Sequence, residues 1–213
     1  RSRGLMLAQH GEYPFPLPSG WFRVGFAEDF APGEVRAIRY FGEELVLGCS
    51  ESGAIGLFGA HCPHLGAHLG FGGRMEGESL RCPFHAWRFG MDGACVDVPY
   101  AEKIPPKARL RRYPTEVRDG IAWAWYHPRA EAPSWDAPRI PELERVEWSA
   151  PIHHSWQIRT RNQEIAENTS DPAHFGAVHG FGQAPDPEIQ FDAHTYRSVT
   201  VSRVPRREGG VAN

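Results

Sequence analysis

The chain has 213 residues, 41% of them hydrophobic and 23% charged, which is globular composition rather than disordered or fibrous. Its 23 Lys+Arg against 26 Asp+Glu leave a formal net charge of −3, so nothing favours a polyanion, and nucleic acid is excluded as the expected partner. No stretch nears the roughly 18 apolar residues of a membrane-spanning helix, and the short apolar run after Arg1-Ser2-Arg3 is no signal-peptide core.

In chain order, the first 60 residues read as short strands at 21–26, 34–40, 45–49 and 55–58. Gly42-Glu43-Glu44 and Glu51-Ser52-Gly53 read as hairpin turns between them. Residues 61–95 are rich in Gly, Cys and His with little periodicity, which is loop behaviour on a rigid scaffold. Another strand follows at 121–126, after the turn Arg118-Asp119-Gly120. This first module reads as a small antiparallel sandwich with two inserted loops. Pro128, Pro133, Pro138, Pro141 and Pro151 then mark a linker or an extended wrap. Beyond it, residues 154–159 read as a strand and 162–169 as a helix. Asp171-Pro172 is a helix start, with Asp as N-cap and Pro at the first position, and the second helix stops at Gly180. Residues 196–204 alternate as a strand, and Arg207-Glu208-Gly209-Gly210 reads as a turn without a return strand. The second module is small for a domain of its own, so the sequence is expected to lack its C-terminal part, or to be completed by another subunit.

Four cysteines do not make a disulfide scaffold; they suit a reducing compartment with some thiols acting as ligands. Cys62-Pro63-His64 is followed by Cys82-Pro83-Phe84-His85. Thiolate and imidazole both ligate borderline-soft metals, and two such loops side by side suit zinc or a [2Fe–2S] cluster. Cys49 and Cys95 lie outside these loops and read as core thiols.

Cys62-Pro63-His64-Leu65-Gly66-Ala67-His68-Leu69-Gly70 resembles the first Rieske box, and Cys82-Pro83-Phe84-His85-Ala86-Trp87-Arg88-Phe89 the second. The resemblance implies Cys62 and Cys82 on one iron and His64 and His85 on the other. It implies glycines that let the backbone approach the cluster, with Arg81, Trp87 and His68 tuning potential and solvent access. Respiratory-chain Rieske proteins carry an extra cysteine in each loop, and Ala67 and Phe84 stand in those places here. That resembles the lower-potential ferredoxin and oxygenase type and fits a reducing cytoplasm.

Asp171-Pro-Ala-His174-Phe-Gly-Ala-Val-His179 reads D-x-x-H-x4-H. On composition alone, two ordinary helix histidines explain it. After a Rieske module, it resembles the α-subunit of Rieske non-haem iron oxygenases, as does the wider run from Asn162 to His174. The resemblance implies His174 and His179 as ligands of a mononuclear Fe(II), with dioxygen as co-substrate. Asp171 then stands as the carboxylate bridging the two centres, accepting N–H bonds from His174 and from a cluster histidine such as His85. In the family that histidine belongs to a neighbouring subunit, so a homotrimer is implied. Glu167 and Asn168 are pocket candidates or plain helix-surface residues. The third iron ligand normally lies far downstream; Asp186, Glu188 and Asp192 fall too early and none is assigned.

Val98-Pro99-Tyr100-Ala101, residues 104–109, Val117-Arg118-Asp119-Gly120 and Trp123-Ala124-Trp125 look most like ketosteroid 9α-hydroxylase and its cholesterol-desaturase relatives. A bulky, apolar ring substrate is implied, with Phe175, Val178, Phe181 and Phe191 as lining candidates or ordinary core. The expected fold is α+β: an all-β Rieske domain at 18–128, a Pro-rich linker at 129–151, and the start of a helix-grip catalytic domain at 152–213. The expected function is a terminal oxygenase fed by a ferredoxin and/or flavin reductase, hydroxylating or desaturating its substrate. The alternatives are a stand-alone Rieske ferredoxin without catalysis and a zinc-binding structural module.

Overall fold

The structure, a computed structural model, describes residues 16–180 and 187–200. It divides into two compact units, Arg1–Pro151 and Ile152–Asn213. The first unit contains β1 (Gly20–Phe26), β2 (Val35–Tyr40), β3 (Glu43–Cys49), β4 (Ile55–Gly59), β5 (Arg74–Glu76), β6 (Ser79–Arg81), β7 (Arg88–Gly90), β8 (Cys95–Asp97), β9 (Arg112–Tyr113), β10 (Thr115–Arg118) and β11 (Ile121–Tyr126). These form three antiparallel sheets, ordered β1-β11-β10, β2-β3-β4-β9 and β5-β6-β7-β8. Strands expected at 21–26, 34–40, 45–49, 55–58 and 121–126 all form, because their apolar residues alternate onto buried faces.

Two cores result. One gathers Leu45, Leu47, Leu57 and Tyr113 between the first two sheets. The other gathers Val46, Phe58, Leu69, Leu80 and Phe89 with Cys62, Cys82 and Cys95. Adjacent β3 residues therefore serve opposite cores, as the pleat requires. Cys49 and Cys95 are buried, as expected of core thiols, and burial pushes both thiols up from their ordinary pKa.

Two segments differ from the expectation, the turn at 42–44 and the loop at 61–95. Glu43 and Glu44 are strand residues, and the turn is the pair Phe41-Gly42, both left-handed at φ 55° and 77° as a two-residue hairpin turn demands. Residues 61–95 are not loop alone. They contain β5, β6 and β7, each only three residues long and so too short to show a period. The Pro-rich stretch is a wrap along the β1-β11-β10 sheet. Trp21 Nε1 donates to the Trp135 carbonyl at 2.8 Å, Trp125 Nε1 to the Glu131 carbonyl at 2.9 Å, and Arg118 to the Ala137 carbonyl at 2.8 Å.

The second unit holds α1 (Asn162–Ser170), α2 (Ala173–His179) and the hairpin β12 (Glu188–Asp192) with β13 (Thr195–Val199). The strand expected at 154–159 does not form: this exposed segment joins no ladder among the described residues, and an unpaired strand is not stable in water. The strand expected at 196–204 begins one residue earlier and its described part ends at Val199; residues 201–204 and the turn at 207–210 lie outside the described residues. Neither helix has a buried residue, and Ile165, Val178, Ile189 and Phe191 are exposed, so these elements form no core of their own.

Candidate metal centres

Two loops with the same backbone carry the first four candidate ligands. The Cys62 N–H donates to the Ala67 carbonyl at 2.9 Å, and the Cys82 N–H to the Trp87 carbonyl at 2.8 Å. Each turn thus closes five residues after its cysteine. In each, the residue four after the cysteine is left-handed: Gly66 at φ 75° and Ala86 at φ 59°. A Cβ at Gly66 would meet nothing within 4 Å. No protein atom crowds the position, and the left-handed backbone angle is itself a reason for glycine there.

The loops sort their ligands by depth. Cys62 and Cys82 are buried in the second core, His64 is half-buried, and His85 is exposed. Burial, with further contributions from neighbouring Cys82 and Cys95, pushes the Cys62 thiol up to about 11. The His64 and His85 rings meet edge to face with centroids 4.8 Å apart. One end of the site therefore offers two sulfurs and the other two imidazoles.

That donor set fits a [2Fe–2S] cluster, in which two cysteines hold the inner iron and two histidines the outer one. Among the described residues, no group of three or more His, Cys, Asp or Glu side chains is placed to hold a single metal ion. Two separate ligand pairs suit a two-iron cluster better than one tetrahedral zinc.

The surroundings divide the three residues expected to tune the site. Trp87 stacks on His64, centroids 4.6 Å apart and planes 6° apart. His68 instead packs against Phe71 and His61, at 4.4 and 5.2 Å, and its Nδ1 accepts the Gly70 N–H at 3.1 Å. Arg81 lies 3.6 Å from Glu76, in an ion pair along the sheet. Sequence reasoning missed a role for Tyr100, whose hydroxyl accepts the Trp87 indole N–H at 2.6 Å. No local signal marks it, since it sits 13 residues from its partner.

The second unit places the other candidates on α2. Pro172 precedes the helix and Gly180 closes it at φ 66°, one residue from the expected start. The Asp171 carboxylate accepts the Ala173 N–H at 2.9 Å and so caps the first turn. His174 Nδ1 donates to the Asp171 main-chain carbonyl at 2.6 Å, while the Asp171 carboxylate lies 3.8 Å away. The expected carboxylate–histidine bond is therefore made by the backbone. Protonation at Nδ1 leaves Nε2 with its lone pair for a metal. The His174 and His179 rings face each other edge to face at 5.3 Å. This pair fits two ligands of a mononuclear iron. Of the other pocket candidates, Glu167 accepts a bond from Gln163 at 2.8 Å, Val178 and Phe191 are exposed, and Phe181 lies outside the described residues.

Comparison with known proteins agrees with both halves. Residues 20–114 match the Rieske [2Fe-2S] domain, and residues 124–212 match the 3-ketosteroid 9alpha-hydroxylase C-terminal domain. The chain belongs to the Rieske oxygenase family. A cholesterol 7-desaturase of Ciona intestinalis is 34% identical over 168 residues, which is 79% of this chain and 36% of that protein. The oxygenase component of a 3-ketosteroid-9-alpha-monooxygenase from Rhodococcus rhodochrous is 34% identical over 171 residues, 79% of this chain and 43% of that one. The chain thus spans less than half the length of these relatives. The crystal structure of dicamba monooxygenase bound to dicamba superposes with a TM-score of 0.69 at 20% identity, covering 87% of this chain and 57% of that one, which speaks for the fold. The Rieske domain is the all-β unit described above. Among the described residues, no helix is long and apolar enough to cross a membrane.

Proposed function

We propose that this chain is part of a terminal oxygenase that hydroxylates or desaturates an apolar, steroid-like ring compound. The observation that carries the reading is the pair of matched loops, with two buried cysteines at one end and two histidines 4.8 Å apart at the other. When bound, the cluster supplies one-electron transfer and a mononuclear Fe(II) supplies dioxygen activation.

The chain's own residues hold and separate these functions. Cys62 and Cys82 give thiolates from the dry core, and His64 and His85 give neutral imidazoles at its edge. His174 and His179 supply two nitrogens to the second metal. Asp171 orients His174 through its main-chain carbonyl. Its carboxylate, half-exposed at 54%, keeps lone pairs free to accept an N–H from a cluster histidine such as His85. We assign that contact to a neighbouring copy and, as the family resemblance implies, take the working unit to be a homotrimer. The relatives' names support a steroid-like substrate; one of them is called the oxygenase component of its system, which fits a ferredoxin or flavin reductase as donor. A reducing cytoplasm suits four free cysteines, of which two must remain thiolates. The domain limits proposed are 18–128 for the Rieske domain, 129–151 for the Pro-rich wrap, and 152–213 for part of a helix-grip catalytic domain.

The test is iron, acid-labile sulfide and zinc per chain in the full-length protein. Three irons with two sulfides support the reading. Two of each, in protein not stripped of loose iron, favour an electron carrier and make His174 and His179 ordinary residues. Zinc without sulfide overturns the cluster.

A further inference from the structure

Four rings close a circuit at the histidine end of the Rieske site. His64 stacks on Trp87, Trp87 donates its indole N–H to Tyr100, the Tyr100 ring stands edge-on to His85 at 6.4 Å, and His85 meets His64 at 4.8 Å. The depths of the members differ sharply. Trp87 is 7% exposed and Tyr100 61% exposed. A tyrosine that open to water is ordinarily free to sample several rotamers. This one is held by a 2.6 Å bond to a buried donor.

The bond matters to the donor more than to Tyr100. A buried indole N–H without an acceptor costs the full desolvation of that group. With Tyr100 in place, the hydrogen bond favours the Trp87 position that is stacked on His64. Tyr100 itself sits in the turn closed by the Ala101 N–H to the Val98 carbonyl at 3.0 Å, so its backbone is fixed as well.

We propose that Tyr100 is a positioning residue for the cluster: through Trp87 it locks the His64 ring plane and keeps water off the histidine-bearing iron. This rests on the assignment of His64 and His85 as cluster ligands. The sign of its effect follows from charge. With two thiolates and two neutral imidazoles, the oxidised cluster is neutral and the reduced cluster carries one negative charge. A dry environment disfavours the charged form. Water admitted beside His64 therefore stabilises the reduced state and raises the potential.

The experiment measures midpoint potential and pulsed-EPR nitrogen couplings of the reduced cluster in wild type, Tyr100→Phe, Trp87→Phe and the double variant, using the full-length protein. Tyr100→Phe removes one oxygen from a solvent-facing ring, so folding and full iron and sulfide content are expected. Its cluster should take up an electron at least about threefold more readily, a rise of ~30 mV given ~59 mV per tenfold for one electron. The nitrogen couplings should change with it. Trp87→Phe should shift the potential in the same direction, and adding Tyr100→Phe to it should change nothing further. A wild-type potential and unchanged couplings in Tyr100→Phe would overturn the inference. So would full additivity, or a folded Tyr100→Phe protein that loads no cluster. A wild-type protein without labile sulfide would instead overturn the cluster assignment beneath it.

Discussion

Gly66 and Ala86 occupy equivalent places, four residues after Cys62 and Cys82, and both are left-handed at φ 75° and 59°. One position uses the residue suited to that region and the other does not. Left-handed backbone costs an L-residue roughly 1–2 kcal/mol that glycine escapes. Gly66→Ala should therefore destabilise the Rieske domain by about 1 kcal/mol. The added methyl meets no protein atom, so the cost counted here is that of the backbone angle. Ala86→Gly should do the reverse, by up to about 1 kcal/mol once the extra freedom of glycine in the unfolded chain is set against it. Thermal unfolding of both variants checks the pair. Losses of equal size at both positions would show that the two turns are not equivalent in solution.

Asp171 and His174 are joined by a main-chain bond, and this separates two variants. Asp171→Asn keeps the carbonyl that accepts the His174 Nδ1 proton, so His174 stays oriented and both metals stay bound. The lost carboxylate should break electron transfer between the centres, and reoxidation of the reduced cluster by dioxygen with substrate present should slow by at least an order of magnitude. A wild-type rate would rule out the bridging role. His174→Ala should abolish turnover, remove one iron, and leave the visible spectrum of the cluster intact. A lost cluster signal would mean that the two sites are not separate.

The Rieske boxes were legible because a metal fixes both residue type and spacing, and Cys62, His64, Cys82 and His85 sit on turns whose atoms are local. Long strands such as β3 were legible because Leu45 and Leu47 alternate with Val46 onto two cores. The three-residue strands β5 to β7 were not, because a period needs more repeats than they hold. The segment 154–159 alternates well enough to look like a strand, yet a ladder needs a partner that local sequence does not name. Tyr100 and Glu43 escaped for the same reason: each acts on a residue brought close only by the fold.

Glu43 shows the consequence in titration. Arg111 donates to both of its carboxylate oxygens, at 2.7 and 2.8 Å, and the buried Tyr113 hydroxyl donates to it at 3.1 Å. Burial pushes Tyr113 up to about 12 from its ordinary value of 10.0, with the Glu43 charge adding to the rise and Arg111 opposing it. Between those two values, the folded state holds a proton that the unfolded state has released. Stability contributed by the neutral phenol is thus complete below pH 10 and declines as pH rises towards 12, by at most ~1.4 kcal/mol per pH unit. Tyr113→Phe should cost about 1 kcal/mol at neutral pH through the lost hydrogen bond, and its stability should decline less steeply over that alkaline range. Denaturant unfolding at stepped pH reads both effects. Parallel curves would show that another group governs the alkaline limb.

Leu80 ties the core to the cluster loops. It is fully buried on β6, one residue before Arg81 and two before Cys82, and belongs to the same buried core as Leu69, Phe89, Val46 and both cysteines. Leu80→Ala should cost about 2–5 kcal/mol, the transfer loss of the missing atoms plus the cavity they leave. Because that cavity opens in the core that also holds Cys82, two residues along the chain, the variant should lose labile sulfide at temperatures where the wild type retains it. Leu45→Ala removes an equally buried side chain from the other core, and it should cost similar stability with slower cluster loss. Sulfide release, followed by loss of visible absorbance and compared with unfolding followed by circular dichroism, distinguishes the two. Equal release rates in variants of equal stability would mean that cluster retention tracks global unfolding rather than the packing of the core that holds Cys82.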